Sequence, residues 1–255
     1  MASGRSAGSP RLLRAALIAL GAFLLVAAYL HSVFRSPPAD RVEPALGVVG
    51  VNTGRSLAWI LRTAHGAALI DAGLEPDAGE LLKALRAQGL DASRVHAVLV
   101  THAHPDHWGG AAAFPAAKVY AGAGDVPVLQ RKARLKGPLA WAMDGMMPAA
   151  LGVVERVEDG QVLSLDGEEV RAIALPGHTP GSTAYLWKDL LFSGDALLGR
   201  GADAVGTPPW MLCEDASQAR RSLEKLREVP FTRMADGHSG ATADARLKLL
   251  RLLRR

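Results

Sequence analysis

The sequence predicts an α/β fold in which two sheets pack face to face and helices cover their outer sides. Three observations lead there. Short apolar runs of strand length recur early and late in the chain, helical patterns lie between and after them, and two tight hairpin signals sit in the middle.

The first element is a hydrophobic helix. Residues 15–30 carry no charged or strongly polar side chain, and Arg5, Arg11 and Arg14 precede them. A bilayer takes about 20 such residues, so the run is expected to be a membrane anchor, extending to Phe34 if His31 and Ser32 sit at the interface. The basic flank then places the N-terminus in the cytoplasm, as a single pass through the inner or plasma membrane with the rest of the chain outside. The alternative is a signal peptide cleaved near Val26-Ala27-Ala28, leaving a secreted or periplasmic protein. Residues 1–36 are therefore expected as an anchor or signal segment, 37–44 as a linker marked by Pro37 and Pro38, and 45–255 as one domain.

Strand-type runs follow at 46–51, 57–63 and 67–71, then a helical pattern at 76–89 that Gly89 closes as a C-cap. Residues 97–102 form a continuously apolar strand, the kind covered on both faces. A strand is expected at 118–122 and a Lys/Arg-bearing helix around 125–136. Residues 137–150 have neither period and read as a loop or lid. The Asp166-Gly167 turn joins strands at 162–165 and 168–175, and Lys188-Asp189 joins 182–187 to 190–195. A helix at 217–229, a strand at 231–236 and a basic helix at 241–254 complete the chain, the last packing through Leu247, Leu250 and Leu253.

Composition narrows the function classes. With 255 residues and 49% hydrophobic content, the chain can bury a full domain core. Its net charge of +4 comes from the ends, because nine arginines and lysines in residues 1–35 and 246–255 have no acid among them; without them the body is at −5. An acidic body with 5% aromatic residues offers little to a phosphate backbone, so no nucleic-acid partner is expected. Cys213 is the only cysteine, which excludes an internal disulfide and a Cys-based zinc finger and reads as a buried, inert thiol.

The sharpest signal is THAHPDHWGG at 101–110, where His102, His104, Asp106 and His107 crowd into six positions directly after a strand. In extended chain His102 and His104 project to one side, and a turn at Pro105 brings Asp106 and His107 toward an adjacent point. Nitrogen and carboxylate donors without thiolate suit zinc, with iron or manganese possible. Downstream, His178 sits in the Gly/Pro-bracketed loop 176–182, Asp195 ends a strand, and His238 follows another. Residues at strand ends can converge on one edge of a fold. His31, His65 and His96 have bland readings at an interface, a turn and a strand start.

Over residues 45–245 these motifs, in this order, resemble the metallo-β-lactamase superfamily. The resemblance implies a four-layer αββα sandwich and a pair of zinc ions. It assigns His102, His104 and His178 to the first metal, Asp106, His107 and His238 to the second, and Asp195 as the bridge. Asp71 matches the family's early aspartate that orders the metal loop, although on local sequence it is equally an ordinary turn residue. The chemistry implied is a zinc-dependent hydrolase in which a metal-bridging hydroxide cleaves an ester, thioester, lactone or related bond of a small-molecule substrate, with Asp106 as catalytic proton carrier. True β-lactamases place cysteine or serine where this chain has Asp195, which looks instead like the glyoxalase II and lactonase branch. Glyoxalase II adds a sizeable C-terminal helical domain, whereas 17 residues follow His238; acyl-homoserine lactonases have a tyrosine where Leu198 stands. Ser182 and Ser193 are poor nucleophiles because their relay partners are spent on metal. Trp108, Trp141, Met143, Met146 and Met147 read as an apolar pocket or lid, or else as core or membrane-facing residues. Two alternatives remain at this level: a mononuclear iron enzyme resembling persulfide dioxygenases, and a non-enzymatic metal-binding member of the fold.

Overall fold

The computed structural model describes residues 10–33, 42–43 and 47–254, which divide between two compact units, Met1–Arg35 and Ser36–Arg255. Most of the expected linker at 37–44 lies outside the described residues. The described part of the first unit is one helix, α1 (Pro10–Val33). The expectation of a membrane anchor or signal helix is corrected here, because no helix among the described residues is long and apolar enough to cross a membrane. The single-pass topology, the membrane as partner and the extracytoplasmic placement all depended on that helix and fall with it.

The second unit contains two main sheets. In the first, β1 (Val42–Glu43), β2 (Val48–Asn52), β3 (Leu57–Arg62), β4 (Ala67–Ile70), β5 (Val95–Val100), β6 (Lys118–Gly122) and β7 (Glu155–Val157) lie in sequence order. Pairing is antiparallel from β1 to β4 and parallel from β4 to β7. The switch requires crossovers, the first of which carries α2 (Gly79–Ala87). The second sheet holds β8 (Val162–Leu165), β9 (Glu168–Ala174), β10 (Thr183–Trp187) and β11 (Leu190–Gly194) as an antiparallel meander. A small ribbon, β12 (Leu198–Gly199) with β13 (Val205–Gly206), interrupts it before β14 (Arg233–Asp236) joins β11 in parallel and β15 (Ala241–Thr242) closes the edge.

Alternation along the strands shows how the layers stack. Leu57, Trp59 and Leu61 of β3, Ala68 and Ile70 of β4, and Ala97 and Leu99 of β5 meet Tyr185, Trp187, Leu190 and Phe192 of the second sheet in one buried cluster. Their neighbours Ala58, Ile60, Leu69, Val98 and Val100 face the other way, onto Leu81 and Leu85 of α2. On the far side, Ile173, Ala184, Leu186 and Leu191 pack against Leu223, Leu226, Ala245 and Leu249. Three cores between four layers make the expected αββα sandwich. Both faces of the central strands are covered, which is why 57–61 and 97–100 read as unbroken apolar runs.

Several helices differ from expectation. The helix around 125–136 is only α4 (Val126–Leu129), because Arg131 takes a left-handed φ of 56° and the amides of Lys132 and Ala133 both fold back to the Pro127 carbonyl. The loop at 137–150 contains a short α5 (Ala140–Asp144). The helix at 217–229 is α6 (Ala216–Ser222) followed by 3-10 turns to Glu228. Residues 241–242 are strand, so the last helix, α7, spans Ala245–Leu252. Its phase buries Ala245 and Leu249 and turns Leu247 outward, 55% exposed, so of the expected Leu247, Leu250 and Leu253 stripe Leu253 packs on the core and Leu247 does not. A one-residue change of helical register swings the packed face by about 100°.

Candidate metal centre

Parallel pairing puts the C-terminal ends of β4 and β5 together in one sheet and those of β11 and β14 together in the other. Asp71 follows β4, His102 follows β5, Asp195 follows β11 and His238 follows β14; His178 lies in the loop from β9 to β10. Two hydrogen bonds stitch the sheets together beside these loops. Tyr185 Oη donates to the Val100 carbonyl at 3.0 Å, and Trp59 Nε1 donates to the Asp236 carbonyl at 3.1 Å.

The segment after β5 folds as its residue types require. His104 stays extended (φ −67°, ψ 141°) and Pro105 opens the short helix α3 (Pro105–Trp108), where a missing N–H costs nothing. Asp106 and His107 therefore sit on the first helical turn while His102 and His104 precede it. Trp108 is fully buried and its Nε1 donates to the Ala103 carbonyl at 3.0 Å, so it clamps this segment from behind instead of lining a pocket. Met143 is also core, whereas Trp141 is 75% exposed. Gly109 is needed because a Cβ there would lie 2.0 Å from the Leu74 carbonyl oxygen.

The structure brings all seven candidate donors together. His102, His104 and His178 form one group, His102, His107 and Asp195 a second, and Asp106, His107 and His238 a third, each with donor atoms within 4.8 Å of one another. His102 Nε2 and His178 Nε2 are 3.2 Å apart. Asp195 lies between the groups: its Oδ2 is 3.0 Å from His238 Nε2 and 3.7 Å from His178 Nε2, and its Oδ1 is 3.6 Å from His107 Nε2. Asp106 Oδ2 stands 3.8 Å from both His107 Nε2 and His238 Nε2. Asp106 and His238 are partly exposed and the other five are buried, so the site opens on their side.

Asp71 holds the near side from beneath. Its Oδ1 accepts from the Thr101 amide at 2.7 Å, and its Oδ2 accepts from Thr101 Oγ1 at 2.8 Å and meets His107 Nδ1 at 2.7 Å. Its φ of 62° is a left-handed conformation that aspartate tolerates better than most residues. Burial raises the Asp71 pKa, an effect that His107 and the Thr101 bonds oppose. Among residues that sequence reasoning did not single out, Asp125 is fully buried and accepts from the Ala103 amide, the Gly181 amide and Thr179 Oγ1. Burial pushes it up to about 6 against those three bonds. Asp236 likewise pins the His238 turn, accepting from the amides of His238, Ser239 and Gly199. Ser56 Oγ donates to the Asp106 carbonyl. Cys213 is buried with its Sγ 3.6 Å from His178 Nδ1, and desolvation pushes the thiol to about 12, consistent with an inert role.

Electrostatics divide the rings. Burial, reinforced by neighbouring imidazoles, holds His102 and His178 well below the usual histidine value, and burial brings His104 to about 4. These three are neutral, as ligation requires. Burial also opposes charge on His107 and His238, but Asp71, Asp106 and Asp195 raise His107 to about 10, and Asp195 and Asp106 raise His238 to about 9. Burial raises Asp195 as well, yet His238 and His107 bring it well below the ordinary carboxylate range. The carboxylates thus draw positive charge to this centre. Among the described residues, His107 Nε2 and Asp195 Oδ1 are buried without a hydrogen-bond partner while facing this centre. Orphaned atoms among five imidazoles and two carboxylates gathered at one point fit bound divalent metal better than a protein-only arrangement.

Gly237 sets the spacing between Asp195 and His107. A Cβ there would stand 2.4 Å from Asp195 Oδ1 and 2.7 Å from His107 Cε1. Gly237→Ala is expected to destabilise the metal-free fold by about 1–3 kcal/mol, the usual cost of overpacking, and to lower metal content. Thermal unfolding with and without metal measures both; an unchanged Tm and full metal loading would show that the loop relaxes.

The sequence model of the Metallo-beta-lactamase superfamily matches residues 51–254. The chain is 35% identical over 194 residues to a hydroxyacylglutathione hydrolase of Acidiphilium cryptum, covering 74% of this chain and 66% of that protein. It is 30% identical over 234 residues to an atrochrysone carboxyl ACP thioesterase of Aspergillus fumigatus, covering 87% and 65%. The chain therefore spans less than two thirds of the length of these curated relatives. A metallo-beta-lactamase family protein from Thermus thermophilus superposes with a TM-score of 0.66 at 23% identity, over 82% of this chain and 78% of the other, a likeness of fold.

Proposed function

The chain belongs to the metallo-beta-lactamase superfamily, and from that premise we propose that it is a metal-dependent hydrolase of thioester or ester bonds in a small-molecule substrate. In this reading His102, His104 and His178 hold one zinc, Asp106, His107 and His238 hold a second, and Asp195 bridges them. The observation that carries it is the position of Asp195, which contacts rings of both groups while keeping a buried, unpartnered oxygen. The names of the two curated relatives, a hydroxyacylglutathione hydrolase and an ACP thioesterase, favour a thioester among the bonds this chemistry reaches.

Bound zinc supplies an acidified water and a positive charge for the carbonyl oxygen. The chain's own residues do the rest. Asp106 and His238 border the open side, so the scissile carbonyl approaches over them. Asp106 is the partly exposed carboxylate there; it takes a proton from the attacking water and returns it to the departing sulfur or oxygen as the carbonyl carbon's bond to that atom breaks. His107, oriented by Asp71, and His238, oriented by the Asp236 turn, keep Asp106 from rotating away. Ser182 and Ser193 are buried and hydrogen-bonded to neighbours in their own segments, which leaves neither free as a nucleophile.

The group His102, His107 and Asp195 has two histidines and one carboxylate, the composition of mononuclear iron oxygenase sites. It supports a second reading, an iron-dependent oxygenase. Elemental analysis and a panel of thioesters, esters, lactones, β-lactams and phosphodiesters separate the two. Hydrolase function predicts about two zinc per chain and thioester or ester turnover that chelation abolishes and zinc restores. One iron per chain with oxygen consumption, or hydrolysis that survives metal stripping, would overturn it.

A further inference from the structure

We propose that Asp125 is a positioning residue for the first metal position: it staples the loop carrying His178 to the segment carrying His102 and His104. It follows β6, and its hydrogen bonds go to residues beside those three rings. It acts on their backbones. Asp125 Oδ2 accepts from the amide of Ala103, the residue between His102 and His104, at 2.8 Å, and from Thr179 Oγ1, next to His178, at 2.6 Å. Oδ1 accepts from the Gly181 amide at 2.8 Å in the same loop as His178. The carboxylate is fully buried, so each bond is made without competition from water.

Backbone bonds also hold the loop, from the Glu214 amide to the His178 carbonyl and from the Thr183 amide to the Thr101 carbonyl, but they leave the rings themselves free to turn. On the other side of the centre, Asp71 grips His107 directly through Nδ1 and reaches His102 only through Thr101 Oγ1, which lies 3.1 Å from His102 Nδ1. His178 Nδ1 faces only the Cys213 thiol at 3.6 Å, a weak partner that does not fix a ring. His104 makes ring contacts with His102 and His178, at centroid separations of 4.7 and 4.4 Å. The separation of His178 from the other two therefore depends on its loop, and that loop is tied across the cleft by Asp125. The backbone there is closely fitted: a Cβ on Gly181 would lie 2.3 Å from the Asp125 amide nitrogen, and one on Gly124 would lie 2.6 Å from the Pro180 carbonyl carbon. Two buried carboxylates thus divide the work, Asp71 setting ring orientation on one side and Asp125 setting the distance between two loops on the other.

The inference rests on the ligand assignment proposed above, and the test separates the two. Full-length protein is titrated with zinc against a chromophoric chelator, giving an affinity for each position, and with cobalt(II), whose visible spectrum reports ligand geometry. Wild-type protein that binds no metal would remove the ligand assignment itself. With wild type loaded, Asp125→Asn is expected to weaken the His102/His104/His178 position by about 10–100-fold, the usual effect of losing a partner behind the ligands, and to change the other position less than about threefold. An amide keeps one acceptor oxygen, so its NH2 must face a backbone N–H that can only donate, that of Gly181 in one orientation and of Ala103 in the other. Thr179→Val and Thr179→Ser keep the proposal testable if Asp125→Asn fails to fold: loss of the hydroxyl weakens the same position, and its retention as serine restores wild-type affinity. Equal weakening of both positions in step with a lowered Tm, or unchanged affinity in Asp125→Asn and Thr179→Val, would overturn the positioning role.

Discussion

Asp195→Asn is expected to reduce bound zinc from about two per chain to less than one and to lower hydrolysis by roughly a hundredfold or more. Asp195 is 5% exposed and sits among His107, His178 and His238, so its charge offsets whatever cations this centre holds. Asparagine has the same size but no charge and one good ligand oxygen in place of two, leaving two neighbouring cations to repel each other across a dry site. His238→Ala serves as the contrast. It removes one ring from the Asp106/His107/His238 group, so the other position should stay near one zinc per chain. Metal stoichiometry by elemental analysis, read beside turnover, distinguishes these variants. Retention of two tight zinc ions and near-normal turnover in Asp195→Asn would show that Asp195 does not bridge.

Asp71→Asn should be nearly as damaging although Asp71 belongs to none of the three donor groups. Asp71 Oδ2 accepts a hydrogen bond from His107 Nδ1, which keeps that proton on Nδ1, so that when a cation displaces the Nε2 proton the lone pair faces Asp106 and Asp195. An asparagine that satisfies the Thr101 amide with its oxygen presents NH2 to His107. The ring then changes tautomer, Nε2 becomes protonated, and it can no longer ligate. Asparagine also tolerates a φ of 62°, so the backbone is not strained and the effect isolates the hydrogen bond. The expected result is about one zinc per chain, lost from the Asp106/His107/His238 position, with turnover down at least tenfold. Wild-type zinc content would mean that His107 is oriented by something other than Asp71.

The electrostatic reason for both results is partly legible in the sequence. The cluster His102, His104, Asp106 and His107 reads as a metal site because four such donors in six positions rarely arise otherwise. His178, Asp195 and His238 are weak signals singly and acquire meaning through the order of motifs. Asp71 reads locally as a turn residue as much as a functional one, and only its contacts with Thr101 and His107 decide between those readings. Trp108 reads equally as pocket or core; its full burial behind the metal segment settles that. The hydrophobic segment at 15–30 invites a membrane reading, which the absence of a sufficiently long and apolar helix among the described residues removes.

By itself the sequence determined the sandwich, the positions of most strands, and the placement of ligand-type residues at strand ends, because each is written in a local pattern of period two or in the turn chemistry beside it. Tertiary structure decided what local pattern cannot carry. The phase of α7 depends on β15 using residues 241–242 first, and the shortness of α4 depends on the left-handed turn at Arg131. Asp125 is joined to Ala103, Thr179 and Gly181, partners 22, 54 and 56 residues away, and Gly237 matters because Asp195 and His107 close on it from two different sheets. Hydrogen bonds and close packing between such distant residues have no period along the chain. They exist only once two sheets have docked and brought their loop ends to one point, and at that point the chemistry of this protein is set.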